Sequence, residues 1–282
     1  MEPDLKHLEP VLELARRAGE AIMEVYRQGG HASGVEWKAD KTPVTRADRA
    51  AHQVLTAGLE ELVSRLPVIS EEGWVDHLEG DGPAAPAADV GDPPVDTYWM
   101  VDPLDGTKEF LKRTGEFTVN VALIKGARPV AGVVHAPALS RSWLGARDGA
   151  IRVDASGRKR LQVRTADPSA LGVVASRDHA GPGVQALLDS LPGADTLSMG
   201  SSLKFCLIAE GRADLYLRDG PTMEWDTAAA QAVLEASGGG VFTLNGQRLA
   251  YGKPHLRNPH FVAAGDPGLE WRTLILEAGS SG

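Results

Sequence analysis

Apolar residues recur at three- and four-residue steps over residues 4–28, at Leu5, Leu8, Leu12, Ala15, Ile22 and Val25. That spacing predicts an amphipathic helix, which Gly29 and Gly30 end. Residues 31–44 read as loop and short strand. A second helical stripe follows within 42–66, with Ala51, Leu55, Leu59, Leu62 and Leu66 on one face. Thr45 is placed to cap this helix, and Asp48 stands where a capping box needs its acid. The period then changes. Residues 67–73 form a short apolar run that ends in Glu71 and Glu72, and Tyr98–Val101 is four large apolar residues in a row. Both read as buried strands. Residues 117–124 and 130–134 read as antiparallel strands joined at Lys125–Pro129, and 142–146 with 149–153 as a hairpin.

The second half alternates. Strands are predicted at 171–176, 196–200, 213–217, 240–244 and 260–265, and helices at 181–191, 201–211, 222–239 and from 267 onward. Alternation of this kind marks an α/β unit. The polar, glycine- and serine-containing stretch at 153–160 suggests a boundary near residue 158. The expectation is an α+β domain over 1–158 and an α/β domain over 159–282. Residues 74–97, rich in proline, glycine and alanine, predict a long loop.

Composition narrows the class. The 282 residues are 43% apolar and 24% charged, with a formal net charge of -9, which fits a soluble globular chain. An acidic balance argues against binding nucleic-acid polymers or membrane surfaces. Any anionic substrate then needs metal ions or local Lys and Arg. Cys206 is the one cysteine, so no intramolecular disulfide forms and a reducing compartment fits. The N-terminus lacks a signal-type apolar core, and no apolar run reaches transmembrane length. The expected location is cytoplasmic and the expected state a monomer or homodimer.

Candidate chemistry centres on WMVDPLDGTKEF, residues 99–110. Asp102 precedes a proline and is held extended. Asp105 is placed to cap a helix whose first turn holds Gly106 and Thr107. Two carboxylates at a strand-to-helix junction, beside free N–H groups, suit a phosphate with divalent metals. The same residues also make an ordinary capped turn. Asp226 similarly follows Trp225 at a predicted helix start, and Glu71 ends a strand. Together Glu71, Asp102, Asp105 and Asp226 supply the oxygen ligands that a hard cation such as Mg²⁺ takes. Two such ions can clamp a phosphoryl transfer. The eight histidines show no metal-type spacing, there is no nucleophile elbow or phosphate-binding P-loop, and Cys206 lies in an apolar helix.

The acidic strand end SEE (70–72), DPLDGT (102–107) and WDTAA (225–229) occur in the order found in a lithium-sensitive, magnesium-dependent phosphatase superfamily. That superfamily includes inositol monophosphatase and fructose-1,6-bisphosphatase, and the chain resembles it along nearly its whole length. Within it, DGTKEF (105–110), GEFTVNVALI (115–124) and GSSLKFCLIAEG (200–211) resemble the bacterial 3′(2′),5′-bisphosphate nucleotidases. The resemblance implies a five-layered αβαβα sandwich. It implies Mg²⁺, two or three ions per site, on Glu71, Asp102, Asp105, Asp226 and the Leu104 carbonyl, with Asp102 bridging two ions. It implies that Thr107, partnered by Asp48, orients the attacking water, and that phosphate rests on the N–H groups of Gly106 and Thr107. Gly200, Ser201, Ser202 and Asp219 fall where relatives contact the rest of the substrate, and Lys108 stands at a position that separates nucleotidases from inositol phosphatases; should the second phosphate not rest on Lys108, the basic residues Lys204, Arg177 and Arg218 are the next to test.

The implied reaction removes the 3′-phosphate of adenosine 3′,5′-bisphosphate, a step linked to sulfate assimilation. Its rivals are the same chemistry on an inositol or sugar phosphate, and a non-catalytic metal- or nucleotide-binding sensor. An aspartyl-phosphate phosphatase needs its second Asp two positions after the first, where Leu104 stands.

Overall fold

In the computed structural model, the described residues are 2–28, 36–37, 43–63, 66–73, 96–176, 181–191 and 193–280. The predicted loop at 74–97 therefore lies almost wholly outside them. Helix α1 (Glu9–Arg27) follows a 3₁₀ turn at Leu5–Leu8. Two-residue strands β1 (Glu36–Trp37) and β2 (Pro43–Val44) pair ahead of α2 (Arg46–Leu62). The next elements are β3 (Val68–Ser70), β4 (Thr97–Asp105), α3 (Thr107–Leu111), β5 (Thr118–Lys125), β6 (Arg128–Ala136), β7 (Arg141–Ala146), β8 (Gly149–Asp154) and β9 (Gly157–Leu161). Strands β3 to β9 form one seven-stranded sheet in chain order, antiparallel except for the parallel β3–β4 pair. Residue 158 falls inside β9, so this sheet runs on to Leu161 through the polar stretch.

The rest of the chain supplies β10 (Gly172–Ser176), α4 (Pro182–Ser190), β11 (Asp195–Met199), α5 (Leu203–Ala209), β12 (Leu215–Arg218), α6 (Ala228–Ala236), β13 (Gly240–Thr243), β14 (Phe261–Ala264) and α7 (Trp271–Ser280). Its five strands make a second, mixed sheet in the order β11-β10-β12-β14-β13.

Three apolar clusters glue five layers. One joins α1 and α2 to the outer face of the large sheet. The largest fills the space between the sheets around α5 and α6. The third packs α4 and α7 on the far face of the small sheet. Strand β4 shows why its sequence reads as an unbroken apolar run. Tyr98 and Met100 face the central cluster while Trp99 and Val101 face the outer one, so both faces are dry. Helix α6 is rich in alanine because it lies tight on the large sheet: a Cβ at Gly132 or Gly145 would meet its backbone at 2.3 and 2.5 Å. The architecture is the expected αβαβα sandwich.

Candidate active site

The site begins with an irregularity in β4. Asp102 pairs with Asn120 of β5, but Asp105 pairs with Thr118, so three steps on β4 match two on β5. In a regular strand, residues three apart point to opposite faces. The extra residue, a bulge at Pro103-Leu104, brings both carboxylates to one side. A proline is tolerated there because the ladder is already broken. Asp102 Oδ1 accepts the Leu104 N–H at 3.0 Å and fixes the turn. Asp105 is thus the last residue of β4 and not the helix cap expected of it. Gly106 occupies the cap position of α3 at φ 90°, and a Cβ there would lie 3.0 Å from the Glu116 carbonyl.

Asp226 arrives from the other half of the chain. It sits in a turn before α6, not inside the helix, whose cap is Thr227. The Met223 N–H donates to its Oδ2 at 2.8 Å, and this turn is braced by Asn258, whose Nδ2 donates to the Met223 carbonyl at 2.7 Å. Asp102, Asp105 and Asp226 each offer an oxygen within 4.8 Å of the others. Glu71 lies where the chain turns helical after β3, and its carboxyl hydrogen-bonds Asp102. Burial, then the charges of Glu71, Asp105 and Asp226, push the Asp102 carboxyl well above the usual carboxylate range. Burial and the charges of Asp105 and Glu71 do the same to Asp226. Carboxylates this crowded repel one another unless protons or cations sit among them. The donor set is all oxygen, which fits a hard metal ion.

Thr107 opens α3 beside this cluster. Its hydroxyl has two acceptors at 3.3 Å, Asp48 Oδ1 and the Leu104 carbonyl. Asp48 completes the capping box of α2: its Oδ2 accepts the Thr45 N–H at 2.7 Å and the Thr45 hydroxyl at 2.6 Å. It is only 2% exposed, and burial pushes its carboxyl up to about 7, with the Thr45 bonds opposing and Glu72 and Glu71 adding to the rise. One acid therefore serves both the helix start and the threonine.

A cleft of about 170 Å³ adjoins the cluster on the Asp105 and Asp226 side. Gly106, Lys108, Ser201 and Ser202 line it, with Lys108 exposed at its edge. Gly200 is next to them, its N–H donating to Glu116 Oε2 at 2.9 Å. Asp219 does not line it: its Oδ2 accepts the Gly183 and Val184 N–H groups at 2.9 and 3.3 Å and caps α4. The lining also includes Lys204 and Arg218, named from the sequence as the next cations to test for a second phosphate, and the buried Phe205, Tyr216 and Phe261, which the sequence did not assign to the site. Lys204 is 7% exposed, donates to the Ser201 carbonyl at 2.5 Å and lies 5.2 Å from the Tyr216 ring centre. Burial lowers its ammonium to about 8, against the pull of Asp105. Arg177, a third basic residue considered for the second phosphate beside Lys204 and Arg218, lies outside the described residues.

The raised carboxyls predict how the metal-free protein responds to pH. Asp48, Asp102 and Asp226 titrate above their unfolded value of 3.8, so the folded state holds more protons than the unfolded one and stability falls as pH rises. His135, lowered to about 4 by burial, opposes this below its unfolded value of 6.5. The window least disturbed by other groups therefore runs from about pH 6.5 to about pH 8, the midpoint of the Lys204 titration. Urea unfolding in EDTA should show stability dropping across that window, and saturating Mg²⁺ should flatten the trend. A rise with pH in EDTA would contradict the carboxyl crowding.

The chain belongs to the inositol monophosphatase family, which it matches over residues 4–274. It is 47% identical over 247 residues to the 3′(2′),5′-bisphosphate nucleotidase CysQ of Escherichia coli (strain K12), covering 86% of this chain and 93% of that protein. The enzyme of the same name from Haemophilus influenzae is 34% identical over 276 residues, covering 95% and 96%. Among solved structures, CysQ from Bacteroides thetaiotaomicron superposes with a TM-score of 0.74 at 35% identity, over 92% of this chain and 97% of that one. No described helix is long and apolar enough to cross a membrane.

Proposed function

We propose that this chain is a magnesium-dependent 3′(2′),5′-bisphosphate nucleotidase that hydrolyses the 3′-phosphate of adenosine 3′,5′-bisphosphate to give AMP and phosphate. The observation that carries the reading is the carboxylate cluster opening into a cleft with a second centre of positive charge. Lys204 and Arg218 line that cleft, with Lys108 at its edge. A bisphosphate needs two anion-binding places, and a monophosphate needs one. The likeness to the nucleotidases named CysQ supports the same choice.

Mg²⁺ on Glu71, Asp102, Asp105, Asp226 and the Leu104 carbonyl would supply the positive charge that a phosphoryl transfer requires. The protein's own work is positioning and proton handling. The N–H groups of Gly106 and Thr107, at the start of α3, are donors for the phosphate being cleaved. The Thr107 hydroxyl has one hydrogen and two acceptors. Ionised Asp48 is the stronger acceptor, so the hydrogen turns to Asp48 Oδ1 and leaves a lone pair on Thr107 Oγ1. That lone pair accepts from, and so orients, the attacking water. A carboxyl raised by burial is also a better proton acceptor than an exposed one.

A phosphate-release panel tests the assignment. Adenosine 3′,5′-bisphosphate should exceed AMP and inositol 1-phosphate by at least about 10-fold in kcat/KM, roughly 1.4 kcal/mol of discrimination. Lys108→Thr should narrow the ratio, chiefly by weakening the bisphosphate. Inositol 1-phosphate emerging as the best substrate would overturn the nucleotidase reading and leave the acidic site intact.

A further inference from the structure

The donors to Asp105 converge on one of its oxygens. Among the described residues, the Ser202 N–H at 2.6 Å and Asn120 Nδ2 at 3.3 Å donate to Oδ2, and the Thr118 hydroxyl oxygen stands 3.5 Å from it. The surrounding hydroxyls have a fixed sense. A carboxylate only accepts, so Asn120 must turn its NH₂ to Asp105 and its carbonyl to Ser202. Ser202 then gives its single hydroxyl hydrogen to Asn120 Oδ1 at 2.9 Å. The 2.8 Å contact between the Thr118 and Ser202 hydroxyls must use the Thr118 hydrogen, and the 2.6 Å contact between Ser201 and Thr118 must use that of Ser201. The hydrogen bonds therefore run in one direction: Ser201, Thr118, Ser202, Asn120, Asp105.

Every donor in this chain is buried, from 0% exposure at Thr118 to 9% at Ser201. Aligned bonds polarise one another in such surroundings. The chain also crosses between layers. Thr118 and Asn120 stand two apart on β5 of the large sheet, while Ser201 and Ser202 precede α5 between the sheets. Ser201 lines the cleft, so the chain links the cleft wall to an acid of the cluster.

We propose that Asn120, with Thr118, is a positioning residue for Asp105. It ties Oδ2 down, so that the other oxygen is the one presented to a cation shared with Asp102 and Asp226. The inference rests on reading Asp105 as a cation ligand. Partners that orient a ligating carboxylate carry roughly 10- to 100-fold in metal affinity.

Calorimetric titration of Mg²⁺ into nucleotide-free protein tests this without reference to any substrate. Asn120→Leu removes both polar ends at similar size, Thr118→Val removes the hydroxyl, and Thr118→Ser restores it. Asn120→Leu and Thr118→Val should each weaken Mg²⁺ binding by roughly 10- to 100-fold, with Thr118→Ser binding like the parent. Asp105→Asn is the reference. If it loses Mg²⁺ while Asn120→Leu and Thr118→Val keep parental affinity, whatever their thermal stability, the positioning role is overturned. If Asp105→Asn also keeps parental affinity, the ligand reading falls and the inference with it. Should Asn120→Leu fail to fold, the Thr118 pair decides the matter alone.

Discussion

Asp105→Asn and Asp226→Asn should fold, yet release phosphate at least about 10²-fold more slowly than the parent, the scale of removing a preorganised charged group from an active site. Each swap keeps size and removes one negative charge. The structure adds a second expectation with the opposite sign. Asp226 is buried among Asp105 and Glu71, whose charges raise its carboxyl, so its neutral amide removes repulsion from the metal-free fold. In EDTA at neutral pH, Asp226→Asn should therefore melt higher than the parent, the pattern of a site kept at a cost in stability. Phosphate release and thermal melts on the same preparations check both. Near-parental rates would remove that residue from the site, and a lower melting point in EDTA would mean that its hydrogen bond to Met223 outweighs the repulsion.

Thr107→Val and Asp48→Asn should each lower kcat by about 10²-fold with little change in KM, and the double variant should cost little beyond either one. The Thr107 hydroxyl and Asp48 Oδ1 are 3.3 Å apart. If Asp48 acts by drawing the threonine hydrogen away from the water, then removing the hydroxyl leaves Asp48 nothing to do. Asp48 also completes the capping box of α2, so its variant should lose stability while Thr107→Val loses little. That difference separates its two duties. Fully additive losses in kcat would show that the residues act independently.

How much of this was legible depends on where each partner lies. The capping box of Thr45 and Asp48 was readable because both residues fall within one helical turn, and sequence periodicity speaks directly to that distance. The acids of DPLDGT were readable as a pair, but their shared direction was not. Alternation alone sends residues three apart to opposite faces, and only the pairing with Asn120 and Thr118 reveals the extra residue. The helix-capping bonds of Asp219 were not readable because its partners, Gly183 and Val184, are 36 and 35 positions away. Phe261 likewise reaches the cleft from a distant strand and was not readable there, whereas Lys204 and Arg218 were readable as cations to test for a second phosphate. Thr118 and Asn120 did leave a trace. They are polar residues at alternate positions of a strand whose other members, Val119 and Val121, are apolar, a pattern that marks one face of a buried strand as having work to do. The sandwich itself was expected from the motifs, since helix and strand alternation alone does not fix the number of layers.

The central claim is that crowded carboxylates hold divalent cations for hydrolysis of a nucleotide bisphosphate. Phosphate release from adenosine 3′,5′-bisphosphate, measured in EDTA and again after Mg²⁺ is restored, tests it most directly. Release should be negligible in EDTA and recover with Mg²⁺. Full activity in EDTA would contradict it.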